Sequence, residues 1–304
     1  MQQGFRRWGV MAGLLAGLGL LLAGAVRAEC PPAGMVAQSA PPRGQLQALD
    51  AQAREALQPA ALALLDCLAD PRPELRDEFA FETLSAWLRA GLLTPATQLA
   101  LRTALLRSLA EPADAGGFRQ PFAALSLAEL ARADRLAPVQ DAAQREALLD
   151  AATRYLAGVN DRRGFTPAEG WRHGVAHGAD LLYQLSMNPA LTPAQQRQIL
   201  RALQSQVLGG GTEFYRYGEG QRLAAPALHA LLRSELDAQA WADWLDQTLA
   251  PLRSPAALDE PRLLLMHNAR EFLWPLYVAL AEQPDVERRN TLIAPVRRWL
   301  KQLR

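Results

Sequence analysis

Two histidines and an aspartate with metal-ligand spacing lie in the middle of the chain. His173 and His177 are four residues apart, and Asp180 follows three residues later. On a helix, this spacing presents two imidazoles and a carboxylate to a single zinc ion. With Glu169 or Glu219 as the base that activates a bound water, the residues would support a metal-dependent hydrolase. No glutamate lies between the two histidines as it does in metalloprotease helices, and His229 and His267 would have to complete the ligand shell.

The same side chains permit two noncatalytic interpretations. His177 and Asp180 could belong to a buried polar network, in which Arg163 or Arg222 pairs with Asp180 or Glu219. Alternatively, they could form one wall of a peptide-binding groove, together with the aromatic and charged side chains of residues 215–222 and Tyr183. The candidate polar or binding site comprises Glu169, His173, His177, Asp180, Asp161, Arg163, Tyr217, Glu219 and Arg222.

A single helix over residues 166–187 is predicted to position the polar side chains. Thr166 can cap it, Pro167 suits the first helical position, and Glu169 can complete a capping box. The sequence Asn188-Pro189 predicts its end. Spacings of four, four, three and four residues would then place one polar stripe on the helix. That stripe contains Glu169, His173, His177, Asp180 and Gln184.

The rest of the chain indicates an all-α protein. Ala, Leu, Arg, Gln and Glu dominate, and alternating β-branched runs are absent. About five helix pairs are predicted, with first helices starting near residues 74, 120, 166, 221 and 261. Most of these steps resemble the period of HEAT-type arrays. We therefore expect a HEAT-like helical-repeat solenoid, or a compact bundle of such pairs.

Several segments resemble one known family, in the same order, over residues 77–277. Residues 118–125 are similar to its F-x-R-S-F-x-x-L segment and residues 161–165 to its D-x-R-G-aromatic loop. Residues 171–182 resemble its W-x-H-x-x-A-H-x-A-D-L-L signature. Residues 217–224 resemble its G-E-D-E-R-L-A turn, and residues 268–277 its N-x-x-x-F-L-x-x-L-Y helix. The chain is thereby identified as a member of an uncharacterised bacterial family catalogued as a domain of unknown function.

The resemblance implies no activity, substrate or cofactor, because none is established for the family. Many relatives are expected to be cytoplasmic. The chain departs from the pattern at Gln120-Pro121, where a hydroxyl is lost, and at Gly220-Gln221, where two acids are lost.

The N-terminus has the pattern of a secretory signal peptide. Arg6 and Arg7 precede an uncharged apolar run, and Val26-Arg27-Ala28 carries small residues at the cleavage positions. We predict a signal peptide at 1–28, a Pro-rich lead-in at 29–44 and one all-α domain at 45–304. An uncleaved membrane anchor is the alternative. The expected location is the periplasm, with no transmembrane span after cleavage.

The net charge limits the expected binding partners, and the two cysteines predict a disulfide. Cleavage would remove three arginines and leave 29 basic against 31 acidic residues, a balance that argues against nucleic acid as a partner. Cys30 and Cys67 would enter an oxidising compartment, where two thiols usually pair, so we predict a Cys30–Cys67 disulfide. A buried Cys67 with a free Cys30 is the alternative.

The sequence thus favours a noncatalytic protein- or peptide-binding module of the cell envelope, with no cofactor. A metal-dependent hydrolase built on His173, His177 and Asp180, with zinc as its metal, is one alternative. A structural element of an envelope assembly is the other.

Overall fold

A computed structural model describes residues 30–36, 43–211, 213–253 and 258–303. These residues form an all-α bundle with one small two-stranded sheet, as the composition predicts. The α-helices are α1 Arg43–Gln47, α2 Ala51–Ala63, α3 Glu82–Arg89, α4 Pro95–Ala110, α5 Arg119–Leu136, α6 Ala142–Gly158, α7 Gly174–Ser186, α8 Pro193–Gln204, α9 Glu219–Arg233, α10 Ala238–Thr248, α11 Glu260–Ala281 and α12 Val286–Gln302.

Shorter elements join or extend the helices. Short 3-10 helices cover Leu64–Ala69, Gly209–Gly211 and Ala250–Arg253. A π-helical segment, Glu74–Phe81, runs directly into α3. Side-chain caps begin several helices, because Thr94, Asp141 and other short polar residues accept a hydrogen bond from the first turn.

The helices pack in two rows around one hydrophobic core. In the first row α3 contacts α5, α5 contacts α7, α7 contacts α9 and α9 contacts α11. In the second row α4 contacts α6 and α6 contacts α8. Helix α7 lies at the centre of the first row, and its residues from Gly174 to Ala179 are all buried. The arrangement is a compact helical bundle, whereas a HEAT-like repeat remains a prediction.

The prediction of one helix over residues 166–187 is wrong in its first third. Phe165–Thr166 and Gly170–Trp171 form an antiparallel β-hairpin, and α7 begins only at Gly174. Gly170 has a φ of 71°, which a glycine adopts readily and which closes the turn. The amides of Arg172 and His173 donate to the carbonyl oxygens of Gly164 and Arg163, so they are not available to a helix. The five-residue polar stripe therefore does not exist, and only His177, Asp180 and Gln184 lie on α7.

The predicted disulfide is confirmed. Cys30 and Cys67 are bonded, with Cα atoms 5.4 Å apart, so the start of the described chain is tied to the 3-10 helix after α2. The predicted signal peptide lies outside the described residues. Among the helices that the structure describes, none is both long and apolar enough to cross a membrane.

Candidate functional site

Three aromatic side chains form an exposed cluster beside the N-terminus of α7, and we call Phe165, Trp171 and Tyr217 the aromatic surface. The ring centroids of Phe165 and Trp171 are 5.0 Å apart, and Trp171 meets Tyr217 edge-on at 5.7 Å. Their exposed fractions are 37%, 37% and 41%. The hairpin register pairs Phe165 with Trp171, so the two strands present both rings together.

His173 lies beneath Trp171 and is buried. Its ring is stacked on the indole at a centroid distance of 4.6 Å. Its backbone is left-handed, with φ 54° and ψ 34°, a conformation uncommon for residues other than glycine. The Nε2 atom lies 3.3 Å from Oε1 of Glu219, close enough for an electrostatic contact but without the alignment of a good hydrogen bond.

Glu219 fastens the loop before α9 to the hairpin. Its carboxylate is buried, and Oε2 accepts a hydrogen bond from the amide of Tyr217 at 2.9 Å. Burial acts to raise the pKa of Glu219, but the contact with His173 and the backbone amide donors outweigh it, so the pKa lies below its ordinary value. The charged form of Glu219 therefore belongs to the folded state.

His177 is a buried side chain one helical turn further along α7. Nδ1 lies 3.2 Å from the carbonyl oxygen of Pro121. Because a carbonyl oxygen can only accept, Nδ1 carries the hydrogen and donates a hydrogen bond to it. The ring meets Phe122 edge-on at 5.2 Å and His173 at 5.7 Å. Burial, followed by the positive charges of its neighbours, holds the pKa of His177 well below its ordinary value. The imidazole is therefore neutral and acts as a packed hydrogen-bond donor.

Asp180 and Arg222 form an ion pair that joins α7 to α9. The carboxylate is mostly buried, whereas the arginine is half exposed. Burial raises the pKa of Asp180 despite the opposing effect of Arg222. This is one of the pairings that the buried-network interpretation proposed.

Glu169 lies in the hairpin turn rather than on a helix. Its two carboxylate oxygens accept hydrogen bonds from Arg172 at 2.7 and 2.9 Å. Arg172 is 4% exposed, donates to the carbonyl of Gly116 at 2.8 Å and lies over the ring of Phe118. A second buried guanidinium, Arg76, lies 4.0 Å from the same ring and donates to the carbonyl of Glu169.

Arg76, Arg172 and Phe118 are the residues of this region that sequence reasoning missed. Arg172 lies between Trp171 and His173 in the family signature, and this position was the available signal that it belongs to the site. Arg76 lies almost a hundred residues earlier, in the π-helical segment, and no local pattern points to it. The two guanidiniums hold the base of the hairpin by cation–π contacts and backbone hydrogen bonds.

Asp161 and Arg163 lie in the loop that joins α6 to the hairpin. They form an ion pair, with Nε of Arg163 2.8 Å from Oδ1 of Asp161. Together with Gly174 they line part of a cavity of about 710 Å³ between α4 and α6. Burial acts to raise the pKa of Asp161, but Arg163 and Arg172 outweigh it, so this pKa lies below its ordinary value.

The expected groove-lining residues separate in space. Tyr215 is buried, with its hydroxyl donating to the carbonyl of Gln206 at 2.7 Å, so it does not belong to an exposed groove. His267 approaches the carbonyl of Tyr215, and His229 packs on Tyr183. Neither His229 nor His267 therefore completes a set of metal ligands with His173 and His177. In the part of the chain that the structure describes, no three His, Cys, Asp or Glu side chains are grouped to hold a metal ion. Zinc stays the alternative to the prediction of no cofactor.

Comparison with known proteins identifies one family. The sequence profile of a family described as "Protein of unknown function (DUF2785)" matches residues 105–278, more than half of the chain. The match includes the hairpin, α7 and the loop that carries Tyr217 and Glu219. No curated protein and no solved structure matches the chain.

Proposed function

The chain belongs to this DUF2785 family, and we propose that it is a noncatalytic peptide-binding module of the cell envelope whose contact area is the aromatic surface. The single observation that carries the proposal is the mutual packing of Phe165, Trp171 and Tyr217 at about 40% exposure each. Exposed aromatic clusters of this kind are typical of interfaces, where Trp and Tyr supply much of the binding energy.

The aromatic surface is held rigidly. The ring of Tyr217 lies against Gly164 so closely that a Cβ added to this glycine would stand 2.2 Å from a ring carbon. The strand pairing fixes Phe165 and Trp171, and Glu219 fixes the amide of Tyr217. Side chains that are already ordered lose little entropy when a partner binds, which favours affinity.

The acid–base groups below the surface support a binding role rather than catalysis. His173, His177 and Glu219 are each at most 5% exposed. The ring of His173 stacks on Trp171, and His177 donates to the carbonyl oxygen of Pro121. Glu219 accepts from the amide of Tyr217. A general base must come within hydrogen-bond reach of the substrate proton, and these groups are covered.

Charged side chains flank the aromatic surface along the chain. Arg163 precedes Phe165 by two residues, and Arg216 is adjacent to Tyr217; both are exposed. An aromatic centre with a polar, charged rim is the common composition of a protein interface. Export to the envelope is part of the proposal, and the Cys30–Cys67 disulfide supports it because such bonds persist in oxidising compartments. Intact mass of the exported protein should correspond to a chain that begins at Glu29.

A peptide library displayed on phage tests the binding role. We expect the purified chain to enrich a sequence family, and synthetic peptides from it to bind in fluorescence anisotropy. Trp171→Ala should weaken binding by about 2 kcal/mol, or about 30-fold in Kd. Because Trp171→Ala also removes the stack on His173, Phe165→Ala is the second variant and should show a loss in the same direction.

The matched control is Trp274→Ala. Trp274 is an exposed tryptophan on α11, outside the aromatic surface, and is 53% exposed. This variant should bind the selected peptides as the unchanged chain does. Failure to enrich any peptide, or equal losses for Trp171→Ala and Trp274→Ala, would contradict the proposal.

A further inference from the structure

A cavity separate from the aromatic surface lies between the C-terminal parts of α4 and α6. Its volume is about 710 Å³, within the range of sites that hold small molecules. Residues from the loops at 113–117 and 158–163 line it as well, as do Pro121 and Gly174. None of the three rings of the aromatic surface lines it.

The two helices line the cavity mainly with apolar side chains. Leu106 and Leu109 face the cavity from α4, and Ala147 and Ala151 face it from α6. The small alanines leave space along the α6 wall. At Gly158, where α6 ends, an added Cβ would meet no atom within 4 Å. An alkyl chain could therefore lie along this wall and exclude water from both helices.

Four charged side chains line the cavity, two carboxylates and two guanidiniums, and three of the four are engaged with neighbouring groups. Asp161 is paired with Arg163, and Asp114 accepts hydrogen bonds from the amides of Phe118 and Arg119 at the start of α5. Arg154 also lines the cavity, is exposed, and has no ion pair or hydrogen bond to any residue in the described ranges. A ligand that complements the cavity would place a negative charge at Arg154.

We propose that this cavity binds a medium-chain carboxylate, with the alkyl chain along α4 and α6 and the carboxylate on the guanidinium of Arg154. A carboxylate matches one guanidinium in charge, and the two planar groups can share two parallel hydrogen bonds. The site is independent of the peptide-binding role, because none of the three rings of the aromatic surface lines the cavity.

Isothermal titration of the full chain with decanoate tests the assignment. Decanoate should bind, whereas decyltrimethylammonium and decanol, of the same chain length, should bind at least about tenfold more weakly, since a charged hydrogen bond contributes that factor or more. Arg154→Gln should weaken decanoate binding by about tenfold and leave decanol binding unchanged. Arg201→Gln, a change of an exposed arginine on α8, should have no effect.

Filling the cavity gives the second measurement. Ala147→Trp places a large ring on the cavity wall at an exposed position, so it should abolish decanoate binding without unfolding the chain. Ala143→Trp is the control, since Ala143 is exposed on the same helix and does not line the cavity. Peptide binding should survive in Ala147→Trp, which separates this site from the proposed function.

Three results would overturn the assignment. They are no decanoate binding to the unchanged chain, unchanged binding in Ala147→Trp, and decyltrimethylammonium binding as tightly as decanoate.

Discussion

His173 and His177 are neighbours inside the protein, but their roles differ. His173 adopts a left-handed backbone and places its ring between Trp171 and Glu219. A residue of this kind persists in that conformation only where the surrounding contacts determine it, at a cost of about 1 to 2 kcal/mol. His177 is an ordinary helical residue whose Nδ1 reaches Pro121. The first histidine thus shapes the surface, and the second joins α7 to α5.

The burial of His177 predicts how stability depends on pH. Its pKa in the folded chain is well below the ordinary value, so on acidification the unfolded chain takes up a proton that the folded chain does not. The free energy of unfolding should therefore fall as pH drops below about 6.5, by up to about 1.4 kcal/mol per pH unit. His177→Asn retains a donor near the position of Nδ1 and should flatten this fall. Urea unfolding at pH 7, 6 and 5 measures it.

His229 is a second histidine whose burial should make stability depend on pH. It is half-buried, and burial lowers its pKa as well, so His229→Asn should flatten the fall in the same direction. The double variant should show the smallest slope. If His177→Asn kept the full slope between pH 7 and 5, the assignment of a buried neutral imidazole would be wrong.

At the scale of elements, the hairpin and the loop before α9 act as one unit. The hairpin presents Phe165 and Trp171, the loop presents Tyr217, and Glu219 lies between them. Arg76 and Arg172 hold the hairpin from below through Phe118 and the backbone of the turn. The aromatic surface therefore depends on contacts from segments that are far apart in the chain.

Gly164→Ala tests this dependence. The added Cβ would lie 2.2 Å from a ring carbon of Tyr217 and 2.7 Å from Oε1 of Glu219, so the loop and the hairpin must separate. We expect a loss of about 1 to 3 kcal/mol in the free energy of unfolding, typical of overpacking, together with weaker peptide binding. Urea unfolding and anisotropy measure the two effects.

Gly158→Ala is the matched control for the same substitution. An added Cβ at Gly158 meets nothing within 4 Å, and the residue closes α6. This variant should be as stable as the unchanged chain or up to about 1 kcal/mol more stable, since alanine favours a helix over glycine. A destabilised Gly158→Ala with an unaffected Gly164→Ala would contradict the packing described here.

At the scale of the whole molecule, two rows of helices share one core, and the disulfide ties the start of the described chain to it. Cys67 is fully buried in that core, whereas Cys30 is packed against it. The bond closes a loop across a sequence separation of 37 residues. Closing such a loop removes conformational entropy from the unfolded chain.

Loss of the disulfide should lower stability. For the double variant Cys30→Ser, Cys67→Ser we expect about 3 to 4 kcal/mol less free energy of unfolding than for the oxidised chain, measured with urea. Reductant should destabilise the unchanged chain and leave the double variant unaffected. Equal stability of the oxidised chain and the double variant would show that the bond contributes nothing to the folded state.

Local signals were sufficient for most of the helices. Thr94, Asp141 and Thr192 cap their helices as short polar residues do, and Pro95 and Pro193 occupy first turns. Those signals act within one helical turn, so they can be recognised without knowledge of the fold. The same signals failed at Thr166 and Glu169, where Gly170 and the pairing of Arg172 and His173 with the preceding loop favour a hairpin.

The sequence by itself determined the all-α class, most of the helices and the family, because periodicity, caps, composition and a run of motifs are properties of neighbouring residues. It also predicted the cysteine pairing, because the chain has two cysteines and the pattern of an export signal. It also identified Asp180 with Arg222 as a possible pair, which the structure contains. Only the tertiary structure decided that His173, His177 and Glu219 are buried while Phe165, Trp171 and Tyr217 are exposed. Burial is set by packing between distant segments, such as Arg76 against Phe118, and no local pattern encodes such a contact.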